Sequence, residues 1–320
     1  MPLDVKAEQY CMILSKYRLV QGLALYYSLK KVVKSFKIYI LCMDIEAFVF
    51  INRLTGEEAT PISIELLEDD YLYTLKQNRA LEEYCWTLKP VFLEYLLRNF
   101  TDITRITYLD ADLFFYAKPN RIFDDSNEYS VLLSNHDFSR RYKCLEKSCG
   151  IYNSGFISFG NNAEGLECID WWKNCCYTLC SNQFRNNQFG DQKYLEQMAI
   201  RFKKAFVIKT HGVNIAPWNH SKYIFSCKKN SVLINNEKLI CYHFSGFRLL
   251  NDLEFSLSFG NERKPNPILY KPYLQMIYQI LMNCLEELPD YKGCFKKENN
   301  SKSTSIYKIS MFNNSILKGC

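Results

Sequence analysis

The chain lacks several features that would assign it early. Its opening stretch, MPLDVKAEQYCMILSK, carries Asp4, Lys6 and Glu8 where a signal peptide has its apolar core. Its longest strongly apolar stretch without charge, PYLQMIYQILMNCL at 272–285, is too short for a bilayer and reads as a core or interfacial helix. Basic excess is small where it would matter: the net charge is +6, but residues 291–320 hold six Lys and one acidic residue, so the tail supplies +5 and the body +1. No nucleic-acid footprint follows from that, and no nucleic-acid partner is expected. There is no internal repeat and no low-complexity linker, which favours one continuous domain over 1–260. Histidine is scarce, with four in 320 residues. After the first apolar strand, LSKYRLVQGLA offers Gly22 alone, not the Gly-rich loop that cradles phosphates.

What the chain does have is core material: 48% of its residues are hydrophobic and 15% aromatic, enough for a large folded body. Of its 14 cysteines, the densest group is Cys168, Cys175, Cys176 and Cys180 in GLECIDWWKNCCYTLC. No pair in that group has the C-x-x-C spacing of a zinc site, and they read as small hydrophobes on a packed helix. With no signal-peptide core, reduced thiols in a cytoplasmic protein are expected.

Apolar strands and helical patterns alternate from the start. VKAEQYCMILS and FKIYILCM read as strands, RLVQGLALYYSLKKV and EAFVFINRL as helices, and ATPISIELLED as a third extended segment. Such alternation implies parallel strands with helical crossovers, hence an α/β layered fold with ligands at the carboxyl ends of the strands. WTLKPVFLEYLLRNF reads as a long helix with Pro90 in its first turn. Further strands are expected at YSVLLSN, YNSGFISFG, AFVIKT and KLICYHFSG, and helices at GLECIDWWKNCCYTLC and QKYLEQMAIRF. A terminal helix packed on the body is expected over 261–290, followed by a basic tail over 291–320.

The segment ITYLDADLFFY raises a physical question. It reads as a buried strand, yet Asp110 and Asp112 stand one residue apart within it. If the strand continued through Ala111, both carboxylates would face the same side. They would then repel unless a cation lay between them or one took a proton, and hard divalent cations prefer oxygen ligands. A turn Asp beside a capping Asp is the plainer alternative.

Four more segments bear on that site. YNSGFISF sets Asn153, Ser154 and Gly155 before a strand, where Gly155 allows close backbone approach and Asn153 offers a donor and an acceptor. FGDQKYL puts Asp191 and Gln192 at a helix start, where Asp191 could equally be an N-cap. YHFSGFR ends an apolar strand with His243, a test case for a third metal ligand, followed by Gly246 and Arg248. Trp218, in NIAPWN, is the aromatic best placed to line a donor or acceptor cleft, whereas Trp171 and Trp172 read as core.

In order, YLDADLFFY, YNSGFISF, FGDQKYL, NIAPWN and YHFSG resemble the motifs of nucleotide-diphospho-sugar glycosyltransferases of the GT-A fold, closest to the retaining family 8-like group. The resemblance implies a Rossmann-like, mostly parallel central sheet flanked by helices. It also implies that Asp110, Asp112 and His243 hold Mn²⁺ or Mg²⁺ against the diphosphate of a sugar nucleotide, with a UDP-sugar favoured over a GDP-sugar. Ala111 and Gly246 then border the donor. Asn153 contacts the donor sugar or the acceptor, and Asp191 and Gln192 lie near the reacting carbon and hydroxyls. Ile13, Leu14 and Ser15 border the base and ribose, with Asp44 nearby. Lys89 is placed on the donor side, against its reading as a solvated helix residue.

Where family members follow the late His-Phe-x-Gly with Lys-Pro-Trp, this chain has HFSGFRLL, so Arg248 is expected to bring the positive charge to the phosphates. The resemblance makes the acceptor a glycan, a lipid-linked sugar or a protein. Two other functions remain open at this point: a non-catalytic sugar-nucleotide or glycan-binding protein, and a sugar-nucleotide pyrophosphorylase, which the missing Gly-rich loop disfavours. The basic tail adds the expectation of peripheral contact with an anionic membrane, against that of a merely solvated tail.

Overall fold

The structure is a computed structural model that describes residues 7–124, 128–258, 265–289, 291–295 and 305–309. The opening MPLDVK and most of the expected basic tail lie outside the described residues. The first elements are β1 (Glu8–Leu14), α1 (Leu19–Val32), β2 (Phe36–Cys42), α2 (Ile45–Leu54), β3 (Ala59–Ser63), α3 (Asp70–Asn78) and α4 (Leu81–Asn99). Next come β4 (Arg105–Leu109), β5 (Leu113–Phe115), α5 (Asn120–Asp124), β6 (Val131–Asn135), α6 (Glu146–Cys149), β7 (Tyr152–Gly160), α7 (Ala163–Thr178), α8 (Leu195–Arg201) and β8 (Ala205–Val207). The last are β9 (Phe225–Lys228), β10 (Ser231–Ile234), β11 (Glu237–Lys238), β12 (Cys241–His243), β13 (Phe247–Leu249), β14 (Glu254–Leu257), α9 (Pro267–Glu287) and β15 (Ser305–Lys308).

The chain forms two compact units and crosses between them several times. The first unit takes residues 1–13, 34–110 and 119–210; the second takes 14–33, 111–118 and 211–320. The span 1–260, expected as one continuous domain, thus contains segments of both.

The first unit is built on a seven-stranded sheet of order β3-β2-β1-β4-β7-β6-β8. Parallel pairing joins β1 to β4, β2 to β3 and β6 to β8, while β7 runs antiparallel to both β4 and β6. Its apolar core gathers Leu41, Leu88, Phe92, Ile106, Ile157, Phe159, Trp172 and Met198 from the sheet and from α4, α7 and α8. Helix starts are set by side chains that accept from exposed backbone N–H groups, as Asp44 does for α2 (Ala47 N, 2.9 Å) and Asn162 for α7 (Gly165 N, 2.9 Å). Helix α4 begins earlier than its apolar pattern suggests. Glu82 and Glu83 lie in its first turn, and the Glu83 carboxylate accepts from Ala80 N at 3.1 Å. Pro90 is therefore in the helix interior, not its first turn.

The second unit holds three small sheets: β5 paired with β12, the meander β9-β10-β11, and β13-β14-β15. Helix α1 is fastened to β5 where the Ser28 hydroxyl accepts from Phe115 N at 3.0 Å. Aromatic rings dominate its core, with Phe114, Phe244, Phe247, Phe255, Tyr270 and Tyr273 in mutual contact. Within the segment expected as a tail, Tyr291 donates its hydroxyl to Lys16 O at 2.6 Å and β15 pairs with β14. No described helix is long and apolar enough to cross a membrane, and the described cysteines are free thiols.

Candidate active site

The Asp pair stands where one strand stops and another begins. The chain leaves β4 at Leu109, Asp110 N donates to Gly155 O at 2.8 Å, and β5 starts at Leu113 in a different sheet. The expected strand does not run through Ala111, because β4 pairs with β7 and β5 with β12. Asp110 accordingly belongs to the first unit, and Ala111 and Asp112 to the second.

In the first unit the organising group is Lys89, on α4. Its ammonium lies 3.0 Å from Asp110 Oδ1, 3.2 Å from Asp191 Oδ2 and 2.9 Å from the Ser154 hydroxyl, over the Tyr108 ring. The side chain is 2% exposed, so it is not a solvated helix residue. Burial alone would favour the neutral amine; the two carboxylates outweigh it and hold the pKa above its ordinary value. Burial likewise pushes Asp191 above the usual carboxylate range, although Lys89 pulls the other way. Asp191 is not a helix cap, since α8 starts only at Leu195. Its turn is pinned instead by the Trp172 indole, which donates to Asp191 O at 2.9 Å.

Beside Lys89 runs a chain of neutral hydrogen bonds. The Asn153 side-chain amide donates toward Gln192 Oε1 and His136 Nε2, each at 3.2 Å, while its oxygen accepts from Gly155 N at 3.0 Å. His136 Nδ1 donates to Gly150 O at 2.8 Å, which leaves Nε2 as the acceptor facing Asn153. Sequence reasoning missed His136, and it named Ser154 beside Asn153 without giving it a role. The only cue to His136 was a scarce residue just after an apolar strand, the same signal that singled out His243.

The second unit carries the other half of the predicted chemistry. His243 Nε2 lies 2.9 Å from Asp112 Oδ1, and His243 Nδ1 lies 3.0 Å from Asn214 Oδ1. An amide oxygen only accepts, so Nδ1 carries a proton, and Nε2 is the nitrogen turned to the carboxylate. Trp218 is buried and packs edge-on against His243, with ring centroids 5.2 Å apart. Arg18 stands 4.0 Å from Asp112 Oδ2 and donates to Phe247 O at 3.3 Å. Burial would raise the Asp112 pKa, but His243 and Arg18 hold it well below the usual range. Asp112 and His243 thus offer an oxygen and a nitrogen donor of the kinds a divalent cation takes, and Asp110, two residues before Asp112 in the sequence, offers a further carboxylate oxygen.

The remaining predicted residues are dispersed. Ile13 and Leu14 end β1 and Ser15 follows it; all three are buried, with Leu14 and Ser15 in the second unit. Asp44 spends its carboxylate on the α2 cap. Gly246 adopts φ 80°, a conformation that favours glycine. Arg248 follows on β13, and its buried Nε has no hydrogen-bond partner among the described residues. Asn214, Arg18 and Tyr273 were not singled out, although Asn214 lies in the quoted NIAPWN motif.

Two proteins of Bacillus subtilis (strain 168) are similar over nearly the whole chain. The uncharacterized protein YfnF is 37% identical over 298 residues, which is 91% of this chain and 98% of YfnF. The uncharacterized protein YfnD is 31% identical over 288 residues, covering 88% of this chain and 93% of YfnD. No family model matches. Among solved structures, an active-site mutant of LgtC superposes with a TM-score of 0.52 at 11% identity, over 84% of this chain and 94% of that one. The glycosyltransferase GlyE of Streptococcus pneumoniae TIGR4 gives a TM-score of 0.51 at 15% identity over 92% of this chain. The chain spans less than two thirds of the GlyE chains it matches, 66% and 45%. At these identities the likeness establishes the fold: a GT-A-like α/β fold with a large, mostly parallel sheet flanked by helices.

Proposed function

We propose that this chain, which belongs to the same family as YfnF and YfnD of Bacillus subtilis, is a metal-dependent glycosyltransferase of the retaining family 8-like group. It moves a sugar from a nucleotide diphosphate donor, a UDP-sugar, to a glycan, lipid-linked or protein acceptor, and it works in the cytoplasm. The observation that carries this reading is the Asn214–His243–Asp112 relay. An imidazole fixed through Nδ1 presents Nε2 to a carboxylate, the arrangement in which a second-shell partner sets the tautomer of a metal ligand.

Asp110, Asp112 and His243 fit Mn²⁺ or Mg²⁺ by donor type. When bound, the cation supplies Lewis-acid stabilisation to the departing diphosphate. The chain's own residues do the rest. Arg18 and Arg248 bring guanidinium donors to the phosphate oxygens, with Ala111 and Gly246 as backbone that permits close approach. Ser15 and the end of β1 border the base and ribose. The Lys89 ammonium lies 3.0 Å from Asp110 Oδ1 and 3.2 Å from Asp191 Oδ2, and Asp191 stabilises positive charge at the anomeric carbon. Asn153 and Gln192 orient sugar hydroxyls, and Trp218 stiffens His243. The bond from the anomeric carbon to the phosphate oxygen breaks with its electron pair going to the diphosphate. The acceptor oxygen then bonds to that carbon, and its proton passes to the leaving phosphate oxygen, so no dedicated base is needed.

A pyrophosphorylase fits poorly. Gly22, the one glycine after β1, serves packing: a Cβ there would lie 2.4 Å from Leu14 Cδ1. The test is release of nucleoside diphosphate from a panel of UDP- and GDP-sugars with Mn²⁺ and with EDTA. Hydrolysis of one donor, abolished by EDTA, is expected. No turnover of any donor, with no donor-induced thermal shift, would count against an enzyme of this class.

A further inference from the structure

The amides beside Lys89 take their orientation from a residue to which the chemistry above gives no task. His136 stands just after β6 and is 3% exposed, with its ring stacked on Phe138 at 4.5 Å between centroids and 16° from parallel. Its backbone N–H donates to Ile151 O at 2.9 Å, so main chain and ring are both held. Ring Nδ1 lies 2.8 Å from Gly150 O. Gly150 reaches that place with φ 88°, a conformation that favours glycine. A carbonyl oxygen only accepts, so Nδ1 carries the proton and Nε2 of the neutral ring offers a lone pair.

That lone pair sets the next group. Asn153 is buried, and its side-chain amino group lies 3.2 Å from His136 Nε2 and 3.2 Å from Gln192 Oε1, while its Oδ1 accepts from Gly155 N at 3.0 Å. A backbone N–H only donates, so Gly155 and His136 demand the same orientation of the amide from its two sides. Turning that amide over would set N–H against N–H at Gly155 and oxygen against oxygen at Gln192. The second amino hydrogen of Asn153 therefore goes to Gln192, whose own oxygen is consumed inside the protein. Gln192 is half-buried, and among the described residues its Nε2 makes no hydrogen bond, which leaves a fixed donor over. All five residues, Gly150, His136, Asn153, Gly155 and Gln192, belong to the first unit.

We propose that His136 is a positioning residue that sets sugar specificity: through Asn153 it locks the Gln192 amide with only its N–H donors left for the substrate, so a sugar oxygen is read there as a hydrogen-bond acceptor. This rests on the reading of Asn153 and Gln192 as residues that orient sugar hydroxyls. The substrate class follows: a nucleotide sugar carrying oxygen, and not hydrogen or an ammonium, at the position Gln192 meets. A sugar lacking that oxygen leaves a positioned donor unpaired and is rejected. Without the His136 lone pair one anchor of the Asn153 amide is gone, Gln192 is held less firmly, and the distinction weakens.

The test compares His136→Leu, which removes the lone pair, with His136→Gln, whose side-chain oxygen accepts from Asn153 in its place. The probes are the nucleotide sugar that the panel above shows to be turned over and its monodeoxy analogues, scored by kcat/KM for nucleoside diphosphate release with Mn²⁺. Wild type is expected to prefer the parent sugar over at least one deoxy analogue. The Leu variant is expected to lose about 3- to 10-fold of that preference, the worth of one neutral hydrogen bond, and the Gln variant to keep it. An equal loss in both folded variants would mean that His136 only packs there, and an unchanged preference in the Leu variant that it does not set Gln192; either result overturns the inference, as does a wild type without any preference. Nitrogen NMR of the wild-type protein tests the same chain without a variant and without turnover. His136 is expected as the neutral Nδ1–H tautomer, and a proton on Nε2 overturns the inference even in an active enzyme. If no donor is turned over, the transferase reading fails first and this inference with it; a discriminating wild type matched by the Leu variant fails the inference alone.

Discussion

Lys89 sets the electrostatics of the first unit one side chain at a time. Two carboxylates and a hydroxyl converge on its ammonium; Lys89 and Asp191 are buried, and Asp110 is partly exposed. Removing one member of a buried ion cluster leaves the others uncompensated, which typically costs about 3–5 kcal/mol. Lys89→Met is therefore expected to lose stability on that scale at neutral pH in urea denaturation, and to lose less in acid, where Asp191 can take a proton. Asp112 gives a dependence on the acid side as well. Its folded pKa lies below its unfolded value, so its contribution is complete above the ordinary carboxylate range and is lost as pH falls below that range through the depressed folded value. Asp112→Asn should flatten the acid limb of the metal-free stability profile; an unchanged limb would mean the pairing with His243 and Arg18 contributes nothing.

At the scale of elements, strand ends and helix faces were readable because periodicity reports them directly. Asp110, Asp112 and His243 stood out as polar residues at the ends of apolar runs, and the structure keeps all three at such ends. His136 and Asn214 were not readable, because their roles depend on partners distant in sequence: Asn214 acquires meaning only when His243, 29 residues on, meets it. The local sequence of Asp191 allows a cap, and the start of α8 at Leu195 decides otherwise. The packing of α1 on Leu14 offers a direct check. A Cβ at Gly22 would fall 2.4 Å from Leu14 Cδ1, so Gly22→Ala should destabilise by about 1–3 kcal/mol, and pairing it with Leu14→Ala should recover part of the loss. Additive losses in the double variant would show that this close approach is not what demands glycine.

For the molecule as a whole, the α/β class followed from alternating strands and helices, but the two-unit division did not. The chain passes from one unit to the other repeatedly, through short peptides such as the one at Ala111, so no composition shift or linker marks the boundary. The reversed β7 was equally silent, since an apolar strand reads the same in either direction. The D-x-D segment owes its character to that architecture: it is the peptide where a strand of one sheet hands over to a strand of another, and its carboxylates answer to different neighbours. The account's central claim is that Asp112 serves metal-dependent donor cleavage. The direct measurement is Mn²⁺-dependent release of nucleoside diphosphate from the turned-over donor, in wild type and in an Asp112→Ala protein shown to be folded. The account predicts a loss of at least about 100-fold, consistent with removing a charge-stabilising ligand from the reaction centre. Equal rates in the two proteins would contradict it.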